Sequence, residues 1–217
     1  MAVEAVVFDL DGVLVQSEEV WDEERRDLVR KVGGRWHERA TREMMGMSSV
    51  EWSRYLHDRL DVPLAPGEIN ARVLERVERR YREALPWIPG AREAVLRLAD
   101  RWPLGLATSS NREIIDLVVE VGELGDAFRA TVSSEEVGAG KPAPDVYLEA
   151  ARRLDVTPDR CAAIEDSTNG LRSAHAAGML VVAVPNPAFP PERSGVELAD
   201  VVLDSIDELT PEVVAPR

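Results

Sequence analysis

Val3-Glu4-Ala5-Val6-Val7-Phe8-Asp9-Leu10-Asp11-Gly12-Val13-Leu14 is the stretch that decides how the rest of the chain is read. Val3 to Phe8 is a short apolar run with β-branched residues, and it stops abruptly at Asp9-Leu10-Asp11-Gly12. A run of this length bounded by turn residues reads as a buried strand followed by a turn. A lone aspartate at such a place is ordinarily a turn or cap residue. Whether Asp9 and Asp11 are more than that depends on what the other strand ends bring.

Outward from this strand the pattern is first helical. Over residues 17–32, Trp21, Leu28 and Val32 share one face and an acidic and basic run covers the other. Further helices are predicted over 48–60 and 66–85. In the second, Ile69, Val73, Val77 and Tyr81 recur every fourth residue. After Trp87 the rhythm changes. Helices are predicted over 89–101, 111–121, 144–154 and 168–177, alternating with strands over 104–107, 130–132, 161–164 and 180–184 and a last short strand over 201–203. Apolar strands alternating with helices give an α/β protein with a parallel sheet covered on both faces. Residues 1–14 and 86–217 thus form one unit, with the helical segment 15–85 inserted after its first strand. Residues 186–191 are proline-rich and are expected to form a surface loop.

Composition narrows the function. The 217 residues are 45% hydrophobic and 30% charged, with a formal net charge of −14. That field repels phosphate backbones, so neither nucleic acid nor an anionic membrane is an expected partner. No apolar run reaches the ~18 residues of a membrane helix. The start Met1-Ala2-Val3-Glu4 has no basic segment of a signal peptide, and the single cysteine, Cys161, cannot form an internal disulfide. A cytoplasmic protein is expected, without a cysteine-based zinc site. The charge is uneven, net −1 over 15–85 and net −13 over the remainder. An acidic body that handles an anionic substrate needs a metal ion or a placed cation. Lysine is rare: only Lys31 and Lys141 stand against 24 arginines. A compact rotatable ammonium is not interchangeable with a planar fork, which draws attention to Lys141.

Ligands of open α/β sheets bind beyond the carboxyl ends of the strands. The first predicted strand ends in Asp9-Leu10-Asp11 and the second in Thr108-Ser109-Ser110. The third leads through Gly138-Ala139-Gly140 to Lys141-Pro142, and the fourth ends in Glu165-Asp166-Ser167. Four carboxylates, a hydroxyl cluster and one lysine converge on one edge. Carboxylates so crowded repel one another, and a hard divalent cation with oxygen ligands, Mg²⁺, resolves the repulsion. Thr108, the backbone N–H groups after it and the start of the next helix suit phosphate oxygens, and Lys141 adds a positive charge. Competing motifs fail. Pro142 stands where a nucleotide-binding phosphate loop needs Ser or Thr, and no G-x-S-x-G elbow occurs. His37, His57 and His175 are scattered and make no ligand pair.

The set Asp9-Leu10-Asp11-Gly12-Val13-Leu14, Thr108-Ser109-Ser110, Gly140-Lys141-Pro142-Ala143-Pro144-Asp145 and Glu165-Asp166-Ser167 resembles the motifs of the haloacid dehalogenase superfamily, in order and over essentially the whole chain. The helical insertion resembles the cap of the subfamily that includes β-phosphoglucomutase and many sugar-phosphate phosphatases. The resemblance implies a Rossmann-like doubly wound core with a mobile helical-bundle cap, and a phosphomonoesterase acting on a small phosphorylated metabolite such as a sugar or polyol phosphate. It further implies Asp9 as nucleophile and Asp11 as acid and base. Thr108, Ser109 and Lys141 would bind phosphate, and Mg²⁺ would be held by Asp9, the Asp11 carbonyl, Asp166 and, directly or through water, Glu165. The cap loop is Met45-Gly46-Met47-Ser48-Ser49, and Trp21, Gly46, Met47, Ser48 and Ser49 are the expected substrate contacts from the cap. Met44, Met45, Met47 and Trp52 are expected first of all to pack. A phosphomutase of the same chemistry is the alternative; Ser49 stands where the mutase carries an arginine, and Arg25 and Arg76 are the candidates to replace that cation. A non-enzymatic phospho-acceptor module is the remaining alternative. An inserted cap is compatible with a monomer.

Overall fold

The computed structural model describes residues 2–44 and 47–215. Its strands are β1 (Ala5–Phe8), β2 (Leu104–Thr108), β3 (Phe128–Ser133), β4 (Cys161–Glu165), β5 (Leu180–Ala183) and β6 (Val201–Val202). They pair in parallel in the order β3-β2-β1-β4-β5-β6. From β1 the chain winds outward to β3, then returns to the other side of β1 and winds outward to β6. This is the doubly wound sheet, and the direction reverses beside β1, where such sheets bind ligands.

Four helices separate β1 from the rest: α1 (Glu18–Val32), α2 (Ala40–Met44), α3 (Ser49–Arg59) and α4 (Pro66–Glu83). The others are α5 (Ala91–Ala99), α6 (Arg112–Val121), α7 (Asp145–Leu154), α8 (Thr168–Ala176), α9 (Arg193–Val196) and α10 (Pro211–Val214). The alternation within β1 assigns its residues to two layers. Val6 and Phe8 join an apolar cluster with α5, α6 and the helices of the insertion, while Ala5 and Val7 join a second with α7 and α8. Ile69, Val73, Val77 and Tyr81 are buried as one stripe of α4. Each such side chain stabilises the packing by roughly 1.5–3 kcal/mol.

The two segments joining the insertion to the sheet run side by side. The Gln16 N–H donates to Pro86 O at 2.7 Å and the Ile88 N–H to Leu14 O at 2.9 Å. Entry and exit are thereby tied at one place, beside the end of β1. The main departures from the expected elements are β3, longer than the predicted 130–132, and the short helices α2, α9 and α10. No helix among the described residues is long and apolar enough to cross a membrane. Cys161 is free and buried in β4.

Candidate active site

Parallel pairing brings the ends of β1, β2 and β4 to one edge, and Lys141 reaches the same edge from the loop after β3. Lys141 is buried and has no freedom left. Its ammonium donates to Ala107 O at 3.1 Å and to Glu165 Oε1 at 2.6 Å, and stands 2.8 Å from Asp9 Oδ1. Two hydrogen-bond acceptors and an ion-paired carboxylate oxygen around a point charge suit an ammonium and not a broad guanidinium. Burial works against the charge, but Asp9 and Glu165 outweigh it and hold the group above the usual lysine range.

Glu165 is saturated. Oε1 also accepts from the Tyr147 hydroxyl at 2.9 Å, and Oε2 accepts from the N–H groups of Asp166 and Ser167 and from the Ser167 hydroxyl at 3.0–3.1 Å. The first turn of α8 presses on it: a Cβ on Gly170 would fall 1.8 Å from Oε1. Gly12 plays the same part for Asp166. It adopts φ +82°, and a Cβ there would lie 2.0 Å from Asp166 Oδ2. Both close approaches require glycine.

Asp11 is held from β2. Its Oδ2 accepts from the Thr108 hydroxyl at 3.0 Å and from the Ser110 hydroxyl at 2.7 Å, and the Ser110 N–H donates back to Thr108 Oγ1 at 3.0 Å. The other oxygen, Oδ1, is buried without a hydrogen-bond partner, as is Asp166 Oδ1. Asp9, Glu165 and Asp166 each offer an oxygen within 4.8 Å of the others. Burial, reinforced by Glu165 and Asp11 and opposed by Lys141, pushes the Asp9 carboxyl up to about 8. Burial, then Glu165 and Asp9, raises Asp166 well above the carboxylate range. One ammonium among three buried carboxylates leaves negative charge uncompensated. Partnerless oxygens in an all-oxygen donor set fit a hard divalent cation such as Mg²⁺. Asp9 and Asp166 have oxygens to give it, whereas those of Glu165 are committed to Lys141, Tyr147 and the backbone.

These groups floor a cavity of about 500 Å³ whose opposite wall comes from the insertion. The expected cap contacts divide. Trp21 and Met47 line the cavity. Ser48 and Ser49 do not: the Ser48 N–H and hydroxyl both donate to Glu51, capping α3, and the Ser49 hydroxyl donates to Glu135 of the core at 2.5 Å. Gly46 and Met45 lie outside the described residues. In the core, Ser109 lines the cavity, while Thr108 is fully buried behind Asp11. Met44 and Trp52, expected only to pack, are buried and also face the cavity. Of the two candidate arginines, Arg25 lines it, whereas Arg76 stands 3.7 Å from Glu24 and does not. Residues 186–191 are no mere surface loop. Asn186 is buried against Gln16 at 3.3 Å, and Phe189 and Pro190 line the cavity. Their proline content signalled a turn but not its place over the site.

Residues 3–178 match the family model of the haloacid dehalogenase-like hydrolases. Hexitol phosphatase B of Escherichia coli (strain K12) is 35% identical over 210 residues, covering 95% of this chain and 94% of that protein. The phosphorylated carbohydrates phosphatase of Thermotoga maritima is 34% identical over 178 residues, covering 81% of this chain and 82% of that protein. Among solved structures, CbbY from Rhodobacter sphaeroides in complex with xylulose-(1,5)bisphosphate superposes with a TM-score of 0.87 at 26% identity, covering 98% of this chain and 99% of that one. With this strand edge, the helical insertion after β1 and these relatives taken together, the chain belongs to the haloacid dehalogenase-like hydrolases, in the branch that contains the sugar-phosphate phosphatases.

Proposed function

We propose that this hydrolase is a Mg²⁺-dependent phosphomonoesterase that cleaves a small sugar or polyol phosphate through an aspartyl-phosphate on Asp9. The observation that carries the reading is the placement of Asp9, 2.8 Å from the Lys141 ammonium, beside Asp11 on the floor of a cavity closed by residues 15–85 acting as a cap. The relatives named as sugar and hexitol phosphatases support the substrate class.

The substrate phosphoryl group binds against Lys141, Ser109 and the N–H groups at the start of α6. The Asp9 carboxylate attacks phosphorus, and the bond from phosphorus to the ester oxygen breaks. The departing oxygen takes a proton from Asp11, whose partnerless Oδ1 faces no competing donor. In the second half, Asp11 removes a proton from water as the water oxygen attacks phosphorus. The Asp9–phosphorus bond breaks, and inorganic phosphate leaves with the Asp9 carboxylate regenerated. Thr108 and Ser110 orient Asp11 for both transfers. Glu165 positions Lys141, so that the ammonium meets charge developing on the phosphoryl oxygens without reorganising. Asp9, Asp166 and the Asp11 carbonyl would hold Mg²⁺, which, when bound, neutralises phosphoryl charge. The cap excludes bulk water during the first displacement.

The test is phosphate release from p-nitrophenyl phosphate and a panel of sugar and polyol phosphates, with Mg²⁺ or with a chelator, by the natural protein and Asp9→Asn. Metal-dependent release that is lost in the variant is expected. A folded protein that releases phosphate from none of them contradicts the reading.

A further inference from the structure

The turn Ser109-Ser110-Asn111 lines the cavity, and three consecutive residues at the end of β3 hold it from outside the cavity. The Ser133 hydroxyl donates to Ser110 O at 2.7 Å and the Ser134 hydroxyl to Ser109 O at 3.3 Å. Glu135 accepts at Oε1 from Asn111 Nδ2 at 2.9 Å and at Oε2 from the Arg112 N–H at 3.4 Å. Asn111 occupies the N-cap position of α6, where a side chain ordinarily bonds its own helix. Among the described residues it makes no such bond; it is buried and gives its amide to Glu135 instead.

The same Glu135 Oε1 also accepts from the Ser49 hydroxyl at 2.5 Å. Ser49 is the first residue of α3, lies in the insertion and is only 2% exposed. One carboxylate oxygen therefore joins the start of α3 to the start of α6, across the boundary between insertion and core. A second crossing, Arg82 with Glu120 at 3.8 Å, is exposed and contributes little. Hydrogen bonds to an ionised acceptor are stronger than neutral ones. A residue that only capped α6 has no use for a partner in the insertion, and one that only fastened the insertion has no use for Asn111.

We propose that Glu135 is a positioning residue that couples the seating of the insertion to the geometry of the phosphoryl-binding turn Ser109-Ser110-Asn111. This rests on the phosphatase reading above, which places the phosphoryl group at that turn. An ordered turn presents Asn111 to Glu135, and Ser49 seated on Glu135 holds the carboxylate where Asn111 meets it. By linkage, an oxyanion bound at the turn tightens the seating of the insertion, and that seating tightens the anion by the same factor.

Inorganic phosphate is the probe, because it has no leaving group for the insertion to touch. Its affinity in the presence of Mg²⁺ is measured by calorimetry for the natural protein, Ser49→Ala, Glu135→Ala, the double variant and Glu135→Gln. Ser49 does not line the cavity, yet Ser49→Ala is expected to weaken phosphate binding by about 3–10-fold, the scale of one hydrogen bond. Glu135→Ala is expected to weaken it at least as much, and the double variant no further than Glu135→Ala. Glu135→Gln keeps an oxygen for both donors and should retain most of the affinity. Hydrogen exchange over residues 47–52 and 109–113 gives a second readout. Phosphate should slow exchange in both segments of the natural protein, but only in 109–113 of Ser49→Ala. Unchanged phosphate affinity in a folded Ser49→Ala, or effects of Ser49→Ala and Glu135→Ala that add, would overturn the proposal and leave the phosphatase reading intact. Should the substrate panel show no turnover, that reading fails by itself. The coupling is then judged in the free protein, where Ser49→Ala speeds exchange over 109–113 if it holds and leaves exchange there unchanged if it does not.

Discussion

Lys141 and Arg25 are both buried cations on one cavity, and they are held in opposite ways. Lys141, on the floor, is surrounded by Ala107 O, Glu165 and Asp9. Arg25, in the wall from the insertion, lies against the paired rings of Trp21 and Trp52, and its Nε is buried without a hydrogen-bond partner among the described residues. The floor is organised before a ligand arrives, as electrostatic catalysis requires. In the proposed function, chemistry falls to the sheet edge and the opposite wall to the helical insertion, two parts joined where Gln16 meets Pro86.

Disturbing the floor is expected to have the largest effect. Asp9→Asn is expected to lower kcat by at least about 10³-fold on every substrate, as removal of a covalent nucleophile does. Lys141→Met should leave Asp9 and Glu165 unpaired. Losses of about 10²–10³-fold in kcat and about 3–5 kcal/mol in stability are expected, measured by steady-state kinetics and denaturant unfolding. Gly12→Ala is milder in chemistry but drives a methyl group into Asp166 and strains a positive φ. A higher Mg²⁺ concentration for half-maximal rate and a lower melting temperature should result. Ser49→Ala removes the hydrogen bond between cap and Glu135 and is expected to weaken closure by about 0.5–1.5 kcal/mol, raising KM more than it lowers kcat. The smallest effect lies far from the cavity. Hydrogen bonds from Arg152 and Arg153 hold Glu149 down at about 2, below its ordinary 4.5. Their contribution is present above the ordinary value and fades as the pH falls toward 2. Because these groups are exposed, it should amount to less than about 1 kcal/mol. Comparing acid unfolding of the natural protein with Glu149→Gln measures it.

The floor was legible in the sequence because each of its groups follows a buried apolar strand. A parallel sheet leaves such residues no choice of edge, so Asp9, Asp11, Lys141, Glu165 and Asp166 converge once the strands are identified. What the groups do to one another was less legible. Thr108, expected at the phosphate, is buried with its hydroxyl on Asp11, a contact that spacing does not reveal. Glu165 was expected to reach the metal directly or through water; it stands within 4.8 Å of Asp9 and Asp166, and the hydrogen bonds that fill its oxygens depend on the closeness of Gly170 and Tyr147 and not on spacing. The cap wall was legible only in part. Periodicity shows which face of α1 is apolar but not which helix covers it, so Trp52 read as packing. Ser48 and Ser49 read as loop residues free to touch substrate, yet one caps α3 and the other binds across to the core. The 186–191 segment shows the same limit: proline and asparagine mark a turn, and only the crossing from β5 to β6 brings it over the cavity.

The proposed function requires a phosphoryl-enzyme at Asp9. Acid quenching during turnover of the best substrate, followed by mass spectrometry of the peptide that contains Asp9, tests it most directly. A phosphoryl mass increment on Asp9 that appears within the first turnover, decays when substrate is exhausted and is missing in Asp9→Asn is the predicted result. Undiminished turnover by Asp9→Asn, or a phosphoryl group found on another residue, would contradict the account.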